Sequence, residues 1–290
     1  MKVCDECGGE FNGGGWECPV CFFSPRFDGK VPLFAPALAT ENDGFCADYF
    51  DELEFLEAKN FWFRARNDLI ISVLREYCPD MRKFMEIGCG TGFVMSAVAA
   101  EFPGLEITGT EIFSKGLIHA GRRIPRAEFV QADARHLPYE AHFDAIGAFD
   151  VLEHIKDDEQ VLGQVYQALI PGGMLFLTVP QHRWLWSKQD ELAHHVRRYS
   201  VSDLRTKVAA AGFSVVHSRS FVSLLLPLLW LNRRRVRSRE RSDALIELRT
   251  GIFVNELLNV VMRMEFILYG AGLRFPAGGS LLIVARKPSL

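Results

Sequence analysis

The residues best placed to do chemistry are a glycine loop and three acids. The segment Met85-Glu86-Ile87-Gly88-Cys89-Gly90-Thr91-Gly92 follows an apolar run and opens a helical pattern. Glycines there let the backbone turn tightly and come close to a ligand. A GxGxxG loop seats a pyrophosphate on a helix N-terminus. Here the spacing is GxGxG, with Glu86 two residues ahead of Gly88. A carboxylate in that place would repel a pyrophosphate and suits an amino or sulfonium group. Glu111 closes the next apolar run, where an acid can take both hydroxyls of a ribose. Asp133, followed by Ala134, closes the third, within reach of an adenine amino group. One such loop alone is also compatible with an unliganded turn. Three acids at successive strand ends favour a ligand with an amine, a sulfonium, a ribose and an adenine but no phosphate, which describes S-adenosylmethionine (SAM).

The elements needed to position these residues are legible as alternation. Apolar runs at Phe84–Ile87, Leu105–Gly109, Glu128–Gln131, Phe143–Phe149 and Met174–Val179 are separated by helical stretches at Thr91–Phe102, Ser114–Arg123 and Asp157–Ile170. That pattern predicts a doubly wound α/β fold around a parallel sheet. Ser200-Val-Ser-Asp203 fits a helix start and Gly212 a helix stop. Strands are expected near Phe213–His217 and over Ser280–Arg286. Before the glycine loop, Asp48 to Cys78 has helical spacing and stops at Pro79.

These motifs carry a resemblance. Residues 80–220 resemble the class I SAM-dependent methyltransferase superfamily in its ubiquinone-pathway-like branch, through Glu86–Gly92, Glu111, Gln131–Ala134, Phe143–Ile155 and Pro171-Gly172-Gly173. The wider chain resembles bacterial members with a cysteine ribbon in front and a Phe-Trp-Phe-Arg segment before the glycine loop. The resemblance implies a seven-stranded sheet with its last strand antiparallel. It also implies cofactor contacts from the loop residues Glu86, Gly88, Cys89, Gly90 and Gly92, from Glu111, Asp133 and Ala134, and from Asp150 after the fourth strand.

Methyl transfer is an in-line displacement, so the enzyme must align a nucleophile and, where needed, deprotonate it. The candidate catalytic residues are Glu153, His154, His182 and His195. Three roles stay open for Glu153-His154: tying a loop to a helix, a histidine general base, or a divalent cation site. The last follows the resemblance, because related O-methyltransferases carry an acid-x-x-Glu-His segment that binds a metal. Here Asp150, Glu153 and His154 would hold the cation, completed by His182 or His195, and it would acidify a hydroxyl acceptor. His194-His195 and Arg197-Arg198 fit either a loop over the substrate or a solvated surface. Phe61-Trp62-Phe63-Arg64 fits either helix packing or a lid over adenine or sulfonium.

Cys4-x2-Cys7 and Cys18-x2-Cys21 offer four thiolates to one structural zinc, with Gly8-Gly9 and Pro19 suited to knuckle turns. Two disulfides or a redox pair are the rivals, and a reducing compartment disfavours the disulfides. Such a module is too small to fold without metal. It could contact RNA or protein, or brace the N-terminus; Lys2 is its only basic residue.

The expected organisation is a ribbon over 1–24, a linker over 25–47 and a methyltransferase domain over 48–290, with a helical insertion at about 222–279. The insertion holds an apolar stretch (Phe221–Leu231), six arginines between Arg233 and Arg241, and a helix expected over Asp243–Tyr269 with a polar stripe at Asn255, Asn259 and Arg263. Its helices could pack together or dimerise. Alternatively, 221–241 could contact an anionic membrane surface. The 290 residues carry a net charge of −3, which gives no global field for nucleic acid. The N-terminus has no signal-peptide core and no apolar run approaches the roughly 20 residues of a membrane span. The expected location is cytoplasmic, with peripheral contact at the inner membrane surface as the variant. The expected reaction is O- or C-methylation of a small or lipid-linked acceptor. The rivals are an RNA methyltransferase using the ribbon and arginine run, and a catalytically silent SAM-binding scaffold.

Overall fold

The computed structural model describes residues 1–39, 49–236 and 249–289. The strands β1 (Lys2–Val3) and β2 (Glu10–Phe11) form a small antiparallel ribbon, and β3 (Arg26–Asp28) and β4 (Val31–Leu33) a hairpin. Helices α1 (Tyr49–Leu56) and α2 (Phe61–Tyr77) follow. The alternating region runs β5 (Lys83–Ile87), α3 (Phe93–Glu101), β6 (Glu106–Glu111), α4 (Ser114–Arg123), β7 (Glu128–Gln131), β8 (Phe143–Phe149), α5 (Asp158–Ala168) and β9 (Leu169–Pro180). Then come α6 (Lys188–Leu192), α7 (Val201–Ala210), β10 (Ser214–Phe221), α8 (Leu226–Val236), α9 (Ile252–Gly270) and β11 (Ser280–Arg286).

The main sheet has the order β10-β11-β9-β8-β5-β6-β7-β4-β3. From β7 to β10 it is the expected seven-stranded, doubly wound sheet, with β11 antiparallel to both neighbours. One apolar layer packs α2, α3 and α4 on one face through residues such as Leu69, Val73, Met95 and Leu117. The other packs α5 and α7 through Val161, Leu162, Leu204 and Val208. Burial on both faces explains why these strands read as apolar runs rather than as alternation.

Four expectations are corrected by the structure. Residues 25–47 are not simply a linker: β3 and β4 extend the sheet to nine strands. The reason is the edge of β7, whose open backbone is paired by Leu33 and Phe34, while the buried Gln131 amide bonds both backbone groups of Ala35. Residues 40–48 of that segment lie outside the described residues. Second, the helical stretch 48–78 is two helices. Asn60 breaks it because its side chain accepts from Trp62 N and caps α2.

Third, the apolar stretch of the insertion is split: Phe221, Val222 and Leu225 are buried, whereas Pro227, Leu228, Trp230 and Leu231 are exposed. Of the six arginines, Arg233 is not solvated, since it donates to Leu185 O, Ser187 Oγ and Asp190 Oδ2. The other five have no described side chains. Fourth, α9 begins at Ile252 (243–248 lie outside the described residues), and of its polar stripe Asn255 and Asn259 are buried while Arg263 is exposed. Asn255 accepts from Phe61 N at 2.7 Å and donates to Lys59 O at 2.7 Å, and Glu265 accepts from Ser223 N at 2.6 Å and Leu224 N at 2.9 Å. No helix among the described residues is long and apolar enough to cross a membrane.

The ribbon is fastened to the sheet. Its four cysteine sulfurs lie within 4.8 Å of one another and could hold a zinc ion. Trp16 packs edge-on against Phe34 and Tyr139, with ring centroids 4.8 and 5.6 Å away, and Lys2 Nζ sits 4.0 Å above its ring. Val3 N donates to Pro138 O, and Lys2 pairs with Glu128 at 3.1 Å. Trp16→Ala should therefore remove about 3 kcal/mol of stability, the usual cost of emptying a buried aromatic site. Urea denaturation would show it, and an unchanged midpoint would mean that the ribbon merely rests on the sheet.

Candidate active site

The carboxyl ends of β5, β6, β7 and β8 surround a cavity of about 630 Å³. Its floor is the glycine loop. Gly88, Gly90 and Gly92 have φ of 63°, 51° and 74°, a region that disfavours other residues. A Cβ on Gly88 would also come within 2.6 Å of Val151 Cγ2. The loop is pinned from β6: Cys89 N donates to Thr110 O, and Gly90 N to Glu111 Oε2 at 3.0 Å. Glu111 Oε1 accepts from Ile112 N and Phe113 N. Burial raises the Glu111 pKa, and these backbone donors oppose the rise.

The cavity wall includes Gly88, Gly90, Glu111, Asp133, Ala134, Asp150 and His154. Glu86, Cys89 and Gly92 are not on it. Cys89 is buried in the core, and Gly92 caps α3 against Ala120. Glu86 is buried beneath the loop, with Oε2 unpartnered, and burial pushes its pKa up to about 8. Asp133 is gripped by Arg135, whose Nε and Nη2 donate at 2.6–3.0 Å. Burial would raise the Asp133 pKa, but these bonds outweigh it and hold it low. An adenine amino group would share Asp133 with Arg135. The roof comes from α1, through Phe50 and Leu53.

A second cavity, of about 710 Å³, adjoins the first, and Leu53, Asp150 and His154 line both. Its walls are mainly apolar and include Phe61, Trp62, Phe63, Leu225, Leu228 and Leu258. The Phe-Trp-Phe segment thus faces the second cavity rather than the first, and Trp62 lies 4.5 Å under the Arg66 guanidinium. Arg66 and Thr178 Oγ1 both donate to Asp150 Oδ2. Asp150 itself has φ 59°.

Glu153, His154 and His195 converge, their donor atoms lying within 4.8 Å of one another. Glu153 Oε2 and His154 Nδ1 are buried without hydrogen-bond partners. Burial, with the Asp150 charge behind it, raises the Glu153 pKa well above the carboxylate range. Burial and the neighbouring His195 and His194 push the His154 pKa down to about 3. His195 Nδ1 pairs with Asp190 at 3.0 Å, and Asp190 also binds Arg198 and Arg233 at 2.7 Å each. Neither Asp150 nor His182 belongs to the Glu153–His154–His195 group. Asp150 is occupied by Arg66 and Thr178, and His182 stacks on Trp184 outside both cavities. In the 194–198 loop, His194 and Val196 are exposed; His194 lines the first cavity, and His195 and Arg198 the second.

Sequence reasoning missed Arg66, Phe50 and the second role of Arg233. Arg66 had a signal: it is the one charge within the buried Phe63–Ile70–Val73 stripe of α2.

Residues 56–218, more than half of the chain, match the family model described as a methyltransferase domain. The chain belongs to this family. Over 163 residues the chain is 26% identical to a Mycolicibacterium smegmatis protein named "Probable S-adenosylmethionine-dependent methyltransferase", covering 55% of this chain and 62% of that one. A Variovorax paradoxus trans-aconitate 2-methyltransferase is 32% identical over 106 residues, 36% of this chain and 41% of its own length. The chain thus spans about half the length of the curated relatives it matches. Among solved structures, Haemonchus contortus phosphoethanolamine N-methyltransferase 2 with bound SAM is similar at a TM-score of 0.53 and 20% identity, covering 77% of this chain and 53% of that one. The cyclase SpnF is similar at a TM-score of 0.53 and 21% identity, covering 77% and 81%. At such identities these two show the fold alone. Family, fold and relatives together put the chain in the class I SAM-dependent methyltransferase superfamily.

The buried Glu86 has a measurable consequence. Its carboxyl would lose a proton near 4.5 in the unfolded chain but holds it to about 8 in the fold. The folded state therefore binds more protons between those values, and its stability falls as pH rises through them. Glu86→Gln should flatten that slope in urea titrations of the ligand-free protein across this range. An unchanged slope would mean that Glu86 finds a partner or water that offsets its burial.

Proposed function

We propose that the chain moves the methyl group of SAM to an oxygen or carbon atom of an acceptor with a large apolar body, of the lipid-linked kind. The observation that carries this reading is the meeting of the two cavities at Asp150 and His154. One has the glycine loop and the acids suited to SAM; the other has an apolar wall. Gly88, Gly90 and Glu111 would hold the amino-acid and ribose parts of SAM, with Asp133 and Ala134 at adenine. His154 stays neutral near pH 7, with its Nδ1 buried and unpartnered. With a pKa of about 3 it is too weak a base to remove a proton unaided. His195, oriented by Asp190, is the candidate base.

Relatives named for trans-aconitate invite a polycarboxylate acceptor. The walls here favour another choice. Each arginine on the second cavity is already engaged by an acid: Arg66 by Asp150, Arg198 and Arg233 by Asp190, and Arg249 by Glu52. A tricarboxylate would need unengaged cations. An RNA acceptor is disfavoured because Lys2, the ribbon's only basic residue, is buried against Glu128 and Trp16. The division into ribbon, connecting segment and methyltransferase domain is part of the same proposal. So are a cytoplasmic setting and contact with the inner membrane surface, for which 221–241 offers Leu228, Trp230 and Leu231 as its exposed apolar residues.

A second reading concerns a divalent cation. Three donors converge at Glu153, His154 and His195, and two present orphaned atoms, which suits a metal site. A cation held there would supply acidification of an acceptor hydroxyl.

Label transfer tests the main reading. Purified protein, methyl-tritiated SAM and cell extract should give counts in the organic-solvent fraction. Glu111→Gln, which keeps one acceptor oxygen for the loop, should lower them by about tenfold or more. Counts confined to RNA or to water-soluble acids would reject the apolar acceptor, and SAM binding without any transfer would leave the scaffold. Calorimetric titration with Mn²⁺ tests the cation: binding that His195→Ala abolishes would support it, and no heat in the wild type would remove it.

A further inference from the structure

The outer face of α9 has no partner within the described chain. Ile252, Phe253, Leu257 and Ile267 are 86, 84, 55 and 71% exposed, and Val254, Val260, Met264 and Leu268 are exposed beside them. At about 100° per residue Phe253, Leu257, Val260, Met264, Ile267 and Leu268 share one side of the helix, with Ile252 and Val254 at its margins. Amphipathic helices of globular proteins turn that side inward. This helix cannot roll over to do so. Asn255 and Glu265 fasten the opposite side to backbone groups of Lys59, Phe61, Ser223 and Leu224. Turning α9 would break these bonds and strand a buried carboxylate. Apolar surface of this extent marks a contact site.

We propose that this face docks on an anionic lipid bilayer, with α9 lying in the plane of the membrane interface. Two observations select the occupant. The first is continuity with the acceptor cavity. Leu228 and Leu231 of α8 line that cavity and are themselves exposed, at its boundary with the surface, and Leu258 of α9 lines it from the other side. A bilayer would cover the stripe and also deliver an apolar acceptor to the cavity. A second copy of the chain would cover the stripe only. The second observation is charge. Arg263 is exposed on α9 and Arg274 follows its C-terminus, while Glu256, the exposed acid on the helix, is paired with Arg64. Apolar residues beside excess arginine give a surface that anionic headgroups attract.

This inference rests on the apolar-acceptor reading for the choice of lipid, but its test needs no turnover. The full chain would be floated with phosphatidylcholine vesicles with and without phosphatidylglycerol. Binding is expected with the anionic vesicles and should weaken with salt. The combined Phe253→Glu, Leu257→Glu and Ile267→Glu variant should lower the partition coefficient about tenfold or more. None of the three residues lines either cavity, so SAM binding by calorimetry should be unchanged and serves as the folding control. Absence of flotation at low salt would overturn the proposal, as would flotation unaffected by the variant. A wild-type dimer by light scattering that the variant splits would overturn it in favour of self-association. Flotation with no label transfer in any fraction would defeat the proposed function and leave the docking surface standing, and transfer without flotation would do the reverse.

Discussion

A single buried carboxylate holds together the residues around the second cavity. Asp190 is 1% exposed and receives Arg198, Arg233, His195 and the backbone N–H of Ser187. Those partners come from separate parts of the chain: the turn before α6, the loop after it, and the helix α8 of the insertion. Burial alone would raise the Asp190 pKa, yet His195 and the two guanidinium groups hold it well below the ordinary range. The charge is therefore kept throughout the neutral range, and with it the position of His195 facing the second cavity. Removing one partner of such a group leaves a buried charge uncompensated, which costs far more than a surface pair. The insertion is thus tied to the reaction centre through Arg233.

The same cluster constrains what can bind beside it. Asp190 brings one negative charge and the two arginines bring two positive ones. The charge of Glu153 acts on Arg198, and its ionised form would balance the second arginine, although burial and Asp150 oppose that ionisation. A divalent cation among Glu153, His154 and His195 would add positive charge to a group that is at best neutral. It becomes favourable when the acceptor contributes an oxyanion, because the oxyanion then offsets the excess.

Much of this was legible in the sequence, and the limits have physical reasons. The doubly wound core could be read because both faces of each strand are buried, which leaves unbroken apolar runs at Phe143–Phe149 and Met174–Val179. Glu111 and Asp133 could be read because a parallel sheet places strand ends, and so ligand groups, at fixed points in the alternation. The β3–β4 hairpin could not, because it is held by the edge of β7 and the Gln131 amide, about a hundred residues away. The inward turn of α9 was hidden for the same reason. Its periodicity shows two faces but not which one is buried, and Asn255 and Glu265 decide that through backbone groups in α2 and after β10. The convergence of His195 with Glu153 and His154, in place of Asp150 or His182, depended on Arg66 claiming Asp150. Arg66 sits in a helix that precedes the whole sheet.

The insertion's place follows from the one reversed strand. β10 runs parallel to β9, so it ends at the edge where the cavities open. β11 runs antiparallel, so it begins at that same edge. Any chain inserted between them must leave and return on the ligand side, whereas insertions at the other end of the strands would stay remote from it. The entry and exit are tightly fixed: a Cβ on Gly278 would fall 2.2 Å from Phe221 O, so the backbone before β11 passes directly against the end of β10. Gly279 and Ser280 then line the acceptor cavity together with Val222 and Leu225. Lengthening this connection changes the acceptor wall while leaving the glycine loop, Glu111 and Asp133 untouched. The reversed strand thereby separates two cavities, the first set by the parallel strands and the second walled in part by what the β10–β11 connection carries.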